Sequence, residues 1–98
     1  FALHEIVSDE YMLPRFASGD YVAGIQKFDD EISKLIGKDC IVKLKNNTTY
    51  VRRIKQGAEM DEYTLTSINS QLPIQRISVI KSEILCAANI IWSRRNED

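Results

Sequence analysis

The chain is 98 residues long and carries a net charge of −1 at pH 7. That length predicts one small domain, and the near-neutral charge argues against direct binding of nucleic acid by this piece. No apolar run approaches the ~18 residues that a membrane span needs, so no membrane partner is expected. The chain opens at Phe1 without a methionine, so we expect residues 1–98 to be a single-domain fragment of a longer protein.

The cysteines and the single histidine predict neither a metal site nor a cofactor, because they are scattered along the chain. Cys40 and Cys86 both lie in apolar runs. We interpret them as reduced thiols in the core of a cytoplasmic protein.

Two predicted strands, residues 1–8 and 21–25, flank a loop at residues 9–20. The loop contains proline and Gly-Asp, both of which turn the chain. Its apolar residues Met12 and Phe16 are four apart, a spacing that predicts one short helical turn. Short loops between strands often present functional side chains.

Residues 27–38 are polar and charged, but Ile32, Leu35 and Ile36 recur at helical spacing. This pattern predicts one or two helical turns that end at Gly37.

Residues 39–54 form the clearest predicted hairpin, with Asn46-Asn47 as a two-residue turn. A turn of that length places Ile41 opposite Arg52. Arg52 then projects from the polar face, away from the core. The residues assigned to the core face are Val42, Leu44 and Val51.

Three further strands are predicted within residues 62–68, 77–80 and 84–92. The last is apolar on both faces, which indicates burial by sheet packing or by a partner chain. The elements together predict a mainly β domain with one short helical turn or helix.

Four residue patterns, in the same order along the chain, resemble segments of the LexA-like, S24-type self-cleaving repressors. The pattern Asp-x-x-Met-x-Pro-x-Phe-x-x-Gly-Asp at residues 9–20 resembles the nucleophile segment of that family. Residues 50–54, Tyr-Val-Arg-Arg-Ile, resemble the strand that carries its general base. Ser67-x-Asn69 and residues 90–95 resemble later blocks, so the resemblance covers nearly the whole chain and implies an S24 peptidase-type β domain.

Both catalytic positions of that family are substituted in this chain. The serine position holds Tyr11, and the lysine position holds Arg52. Lysine can serve as a neutral base when burial lowers its pKa, whereas arginine stays charged. Other residues could replace the missing pair only from the right positions. Ser8 and Ser18 do not fall at the nucleophile position. Lys43 is expected on the same face as Arg52, but no serine is matched with it as a nucleophile. We therefore expect a degenerate peptidase domain with no catalytic residues, and a divergent active autopeptidase is the rival hypothesis.

The resemblance implies the C-terminal oligomerisation and regulatory domain of a phage-repressor-like or LexA-like transcription regulator. Such a domain forms homodimers and pairs two N-terminal helix-turn-helix domains, expected outside this fragment, on DNA half-sites. An antirepressor or another regulatory protein is a further expected partner. A protein-interaction module unrelated to DNA is the other alternative. The candidate dimer interface consists of Ile84, Ile90, Ile91 and Trp92.

Overall fold

The structure, a computed structural model, describes residues 1–96. Within them, the chain forms one antiparallel sheet of seven strands, a seven-residue 3₁₀ helix and a second 3₁₀ turn of three residues. The predicted mainly β class with one short helix is confirmed. No helix among these residues is long and apolar enough to cross a membrane. The strands are β1 Ala2–Ile6, β2 Tyr21–Lys27, β3 Asp39–Leu44, β4 Thr49–Gln56, β5 Glu62–Thr66, β6 Arg76–Ile80 and β7 Ile84–Arg94, and the 3₁₀ segments are Asp29–Leu35 and Lys81–Glu83.

The sheet has the order β1-β2-β7-β3-β4-β5-β6, which places the longest strand, β7, between β2 and β3. This position explains why β7 is apolar on both faces, since the sheet is covered on both sides there. Ile41 and Val42 are neighbours in β3, so they point to opposite faces, and each belongs to a different core cluster. Packing within the sheet therefore accounts for the buried part of β7, whereas its apolar residues Leu85, Ile91 and Trp92 remain exposed.

The loop between β1 and β2 covers one of these clusters. The amides of Arg15 and Phe16 donate to the carbonyl of Met12 at 2.9 and 3.0 Å, which closes a single helical turn. Met12 and Phe16 are both buried, together with Val7. The predicted helical turn with two apolar anchors is confirmed.

The 3₁₀ helix Asp29–Leu35 covers the other cluster with Ile32 and Leu35. A 3₁₀ helix has three residues per turn, so side chains three apart lie above one another. Ile36 falls off this face and is exposed, which corrects its predicted place beside them. The chain then turns at Gly37, whose φ of +89° suits a residue without Cβ.

The β3–β4 hairpin forms, but its predicted register is wrong by one residue. Its loop has three residues, 45–47, because the amide of Leu44 donates to the carbonyl of Thr48 at 2.8 Å. Asn47 adopts a φ of +72°, the left-handed conformation that closes a three-residue loop.

This register pairs Ile41 with Val51 and Val42 with Tyr50. A slip of one residue moves every side chain of a strand to the other face. Arg52 therefore shares the face of Val42 and is only 3% exposed. The prediction that Arg52 projects from a polar face, away from the core, is wrong.

Candidate functional site

Arg52 lies at the centre of a buried polar cluster beside β4. Its Nη1 and Nη2 donate to the two carboxylate oxygens of Asp9 at 3.2 and 3.0 Å. Its Nε donates to Oε1 of Gln75 at 2.8 Å, and Nη1 also donates to the carbonyl of Val51 at 2.8 Å. Four hydrogen bonds thus fix the planar guanidinium, in the bidentate geometry that arginine forms best with a carboxylate.

Tyr11 stacks on the same guanidinium. The Cζ of Arg52 lies 4.8 Å from the ring centroid of Tyr11 and 5.8 Å from that of Tyr50. Both distances lie within the range of a cation–π interaction. The structure therefore brings together the two positions singled out in the sequence, through the face of the Tyr11 ring rather than through its hydroxyl.

The main chain around Tyr11 is fixed by the segment after β5. The carbonyl of Tyr11 accepts from the amides of Ile68 and Asn69 at 3.0 and 2.9 Å. The Nδ2 of Asn69 donates to the carbonyl of Glu10 at 2.8 Å. The hydroxyl of Ser67 accepts from the amide of Gln75 at 2.8 Å. The Ser67-x-Asn69 pattern thus fastens the loop to the sheet next to Arg52.

The geometry of the cluster decides what it can do chemically. Arginine remains charged, so Arg52 cannot take a proton from a nucleophile. Ser8 and Ser18 are exposed. Lys43 pairs with Thr49, which places it on the opposite face of the sheet from Arg52 and corrects its predicted position. No hydrogen bond within residues 1–96 joins a serine or threonine hydroxyl to a lysine amine.

A second charged cluster, centred on buried Asp39, was not predicted from the sequence. Arg53 donates through Nε to Oδ1 of Asp39 at 2.8 Å and through Nη2 to Oδ2 at 3.2 Å, and Arg15 donates to the same carboxylate. Hydrogen bonding to Asp39 raises the pKa of Arg53 further above its ordinary value. The cluster joins the β1–β2 loop to β3 and β4, so adjacent arginines of β4 both hold that loop.

The cysteines are free and buried, as predicted. Burial raises the pKa of the Cys40 thiol to about 12 and also raises the pKa of Cys86. Thiols of this kind are poor nucleophiles at neutral pH. Within the described part of the chain, no group of three or more His, Cys, Asp or Glu residues is placed to hold a metal ion.

The four residues of the candidate interface fall into two pairs. Ile84 and Ile90 are each 6% exposed and lie in the core. Ile91 and Trp92 are 65% and 48% exposed. Trp92 pairs with Ala23 while Ile90 pairs with the next residue of β2, so Ile91 is the extra residue of a β-bulge. A bulge re-aims side chains, which explains why two consecutive apolar residues of one strand both reach solvent.

These two residues belong to a larger exposed apolar surface on β1, β2 and β7, which we call the outer patch. Adjacent rows of the sheet contribute to it, because Ile6 pairs with Tyr21, and Ile25 lies two residues beyond the partner of Trp92. The ring of Tyr21 contacts Trp92 edge-on, with centroids 5.8 Å apart. The exposed apolar members of the outer patch are Ile6, Ile25, Ile91 and Trp92.

Polar groups border the outer patch at one end. The hydroxyl of Tyr21 lies 3.0 Å from Nδ1 of His4, and the Cζ of Arg94 lies 5.8 Å from the Tyr21 ring. A groove of about 530 Å³ beside them is lined by residues that include Arg94 and Arg95. An apolar centre with a polar and basic rim is the usual anatomy of a protein–protein interface.

Comparisons with protein-family models, curated proteins and solved structures found no match to this chain. The resemblance of residues 9–20 and 50–54 to the S24-type repressors therefore stays a prediction.

Proposed function

We propose that this chain is the self-association and regulatory domain of a repressor-like transcription regulator, and that it does not cleave itself. The observation that carries the proposal is the outer patch. Through it two copies of the chain associate about a two-fold axis. The DNA contacts belong to a helix-turn-helix domain outside residues 1–98.

The composition of the outer patch supports self-association. Isolated exposed apolar residues are ordinary, but a contiguous group around an aromatic ring marks an interaction surface. Trp92 and Tyr21 are residue types that often dominate the binding energy of an interface. Ile91 adds a large apolar side chain next to Trp92, and a two-fold axis through such a patch brings like surfaces together.

Pairing of this kind has a direct consequence for a DNA-binding parent protein. Two DNA-binding domains held together bind two half-sites as one event, because the second contact is made at high effective concentration. The domain thereby increases affinity without any contact of its own with DNA, which agrees with its net charge of −1.

The cluster around Arg52 supports the absence of self-cleavage. A serine-type peptidase needs a hydroxyl beside a base that can be neutral. Here a guanidinium stacks on the Tyr11 ring and donates both terminal nitrogens to Asp9. The guanidinium is fully engaged by these contacts, so the cluster holds the β1–β2 loop on the sheet.

Sedimentation velocity over a concentration series tests the proposal with a matched pair of variants, Ile91→Glu and Leu85→Glu. Both residues are exposed extra residues of bulges in β7, but only Ile91 lies in the outer patch. Burying two glutamates at the interface should weaken self-association by at least about 100-fold for Ile91→Glu. Leu85→Glu should sediment like the unchanged chain.

Two results would overturn the proposal. One is a chain that sediments as a monomer at every concentration up to the millimolar range. The other is an equal effect of the two variants, which would mean that the outer patch takes no specific part. Mass spectrometry of the full-length protein after prolonged incubation at alkaline pH tests the second half of the proposal, since an intact protein is expected and internal cleavage would contradict it.

A further inference from the structure

The free edge of β6 is the second feature that points to a partner. β6 pairs with β5 on one side, and no strand within residues 1–96 lies on its other side. Natural proteins usually protect such edges with charged side chains, above all lysine, with proline or with a bulge. β6, with the sequence Arg-Ile-Ser-Val-Ile, has one charged residue, Arg76 at its first position, but no lysine or proline, and it pairs with β5 without a register shift.

The hydrogen bonds at the two ends of the β5–β6 ladder identify the backbone groups that face outward. The amide of Lys81 donates to the carbonyl of Asp61 at 2.7 Å, and the amide of Ser67 donates to the carbonyl of Gln75 at 3.0 Å. Hydrogen-bonded and non-hydrogen-bonded pairs alternate in an antiparallel ladder. Odd-numbered residues of β6 therefore bond to β5, and even-numbered ones turn their N–H and C=O groups to the free side. The even-numbered residues are Arg76, Ser78 and Ile80.

The 3₁₀ turn Lys81–Glu83 starts from Ile80 and uses its carbonyl. The amides of all three outward residues remain available, as do the carbonyls of Arg76 and Ser78. No loop or side-chain hydrogen bond in the described part of the chain covers these groups.

We propose that the β6 edge pairs antiparallel with the β6 edge of a second copy, about a two-fold axis at Ser78. In this register the Ser78 residues of the two copies exchange two hydrogen bonds. The Ile80 amide of each copy donates to the Arg76 carbonyl of the other. The outward groups are therefore self-complementary, which is the requirement for an isologous interface.

The side chains agree with this register. Ile77 of one copy lies opposite Val79 of the other on the core-facing side, at a non-hydrogen-bonded pair where side chains are closest. Val79 is buried and Ile77 packs beside the same core cluster, so the pairing extends an existing core. On the other side, Glu62 pairs with Ile80, which in turn faces Arg76 of the second copy. Two strand spacings, about 10 Å, let that arginine reach the glutamate.

The opposite edge of the sheet, β1, is less suited to the same pairing. The carbonyl of Ala2 already accepts from Nε2 of Gln26 at 3.2 Å. An antiparallel β1 pair centred on His4 also sets Leu3 against Glu5, an apolar side chain against a carboxylate. The β6 edge is therefore the better template for a second copy.

The β6 edge and the outer patch are separate surfaces, so this inference does not depend on the proposed function. A strand of five residues gives a small interface, and the association is expected to be weak and reversible. Covalent trapping is the appropriate test, since it accumulates a transient pair.

The trapping experiment compares Ser78→Cys with Ser82→Cys under mild oxidation, both in the Ile91→Glu background that weakens the outer patch. Both serines are exposed. At the axis, the two residues at position 78 are about 5.5 Å apart between Cα atoms, within disulfide range. The two Ile80 residues, where the strands end, are already about 13 Å apart along the strands, and Ser82 follows Ile80 in the 3₁₀ turn, outside the paired strands. Ser78→Cys should form disulfide-linked dimers roughly tenfold faster than Ser82→Cys. Equal rates would overturn the proposal.

A second comparison, Ser78→Pro against Ser78→Ala in the same background, tests the backbone hydrogen bonds. Proline removes an N–H that points away from β5, so the fold is retained, while alanine keeps the N–H. The dissociation constant from sedimentation at high concentration should rise about tenfold or more for proline and stay unchanged for alanine. An unchanged constant for the proline variant of a folded chain would overturn the proposal.

Discussion

Replacing Arg52 by methionine removes the charged group that the structure places at the centre of the buried cluster. Methionine keeps much of the length and apolar stem of arginine but makes none of its four hydrogen bonds to Asp9, Gln75 and the carbonyl of Val51. The Asp9 carboxylate then loses its counterion, and the Tyr11 ring loses its cation.

The size of the effect follows from burial. Removing one partner of a buried ion pair costs about 3–5 kcal/mol. The side chain of Asp9 is 34% exposed, so water can hydrate part of the carboxylate once the guanidinium is gone. This lowers the expected loss of unfolding free energy. We expect a loss of about 2–4 kcal/mol of unfolding free energy, which lowers the Tm of a domain of this size by about 10–25 °C. Arg52→Lys keeps the charge but loses the bidentate geometry, so its stability should lie between that of the unchanged chain and that of Arg52→Met.

Urea and thermal unfolding followed by circular dichroism give the measurement, with Lys55→Met as the control. Lys55 is an exposed residue of the same strand, so its substitution should change stability by less than about 0.5 kcal/mol. The double variant Arg52→Met with Asp9→Asn should lose less unfolding free energy than the sum of the two single-variant losses, by about 1 kcal/mol or more. An Arg52→Met chain as stable as the Lys55→Met chain would refute the structural role of the cluster.

Three further outcomes are expected. Burial raises the pKa of Cys40 from 9.0 to about 12, so above pH 9 the unfolded chain binds fewer protons than the folded chain. The free energy of unfolding therefore falls as the pH rises towards 12. Cys40→Ala should make this fall smaller in urea unfolding measured as a function of pH. In thermal unfolding, Gly24→Ala should lose more stability than Gly37→Ala, because a Cβ at position 24 would overlap the carbonyl of Asn89. A Cβ at position 37 faces open space, so Gly37→Ala should lose only about 1–2 kcal/mol, through its positive φ alone. Asp39→Asn leaves two arginines without their shared carboxylate and should cost about 2–4 kcal/mol in urea unfolding, where a loss below 0.5 kcal/mol would contradict it.

Local patterns were sufficient for the elements of the fold. Apolar runs located the strands, and the spacing of Met12 and Phe16 located the helical turn, because both signals depend on near neighbours in the chain. The register of the hairpin depended on which residues reverse the chain. Only Asn47 adopts a positive φ, whereas the predicted two-residue turn used both Asn46 and Asn47. A two-residue loop and a three-residue loop would both place an asparagine where a positive φ is needed, so the sequence did not separate them.

The candidate sites show the same division. Tyr11 and Arg52 were singled out by residue pattern, and the structure brings them into contact. The burial of Arg52 was missed because it follows from the hairpin register. The ion pairs of Asp39 join residues 14 and 24 positions apart, and such pairings depend on tertiary structure that no local signal encodes. The exposure of Ile91 depends on a bulge that the sequence did not reveal.

The fluorescence of Trp92, the only tryptophan of the chain, tests self-association through the outer patch most directly. Trp92 is half exposed in the single chain, so pairing through the patch should bury its indole. Acrylamide quenching and the emission maximum, measured from nanomolar to millimolar concentration, should shift from an exposed to a shielded tryptophan, and Ile91→Glu should abolish the shift. Emission and quenching that stay constant over this range would contradict the account.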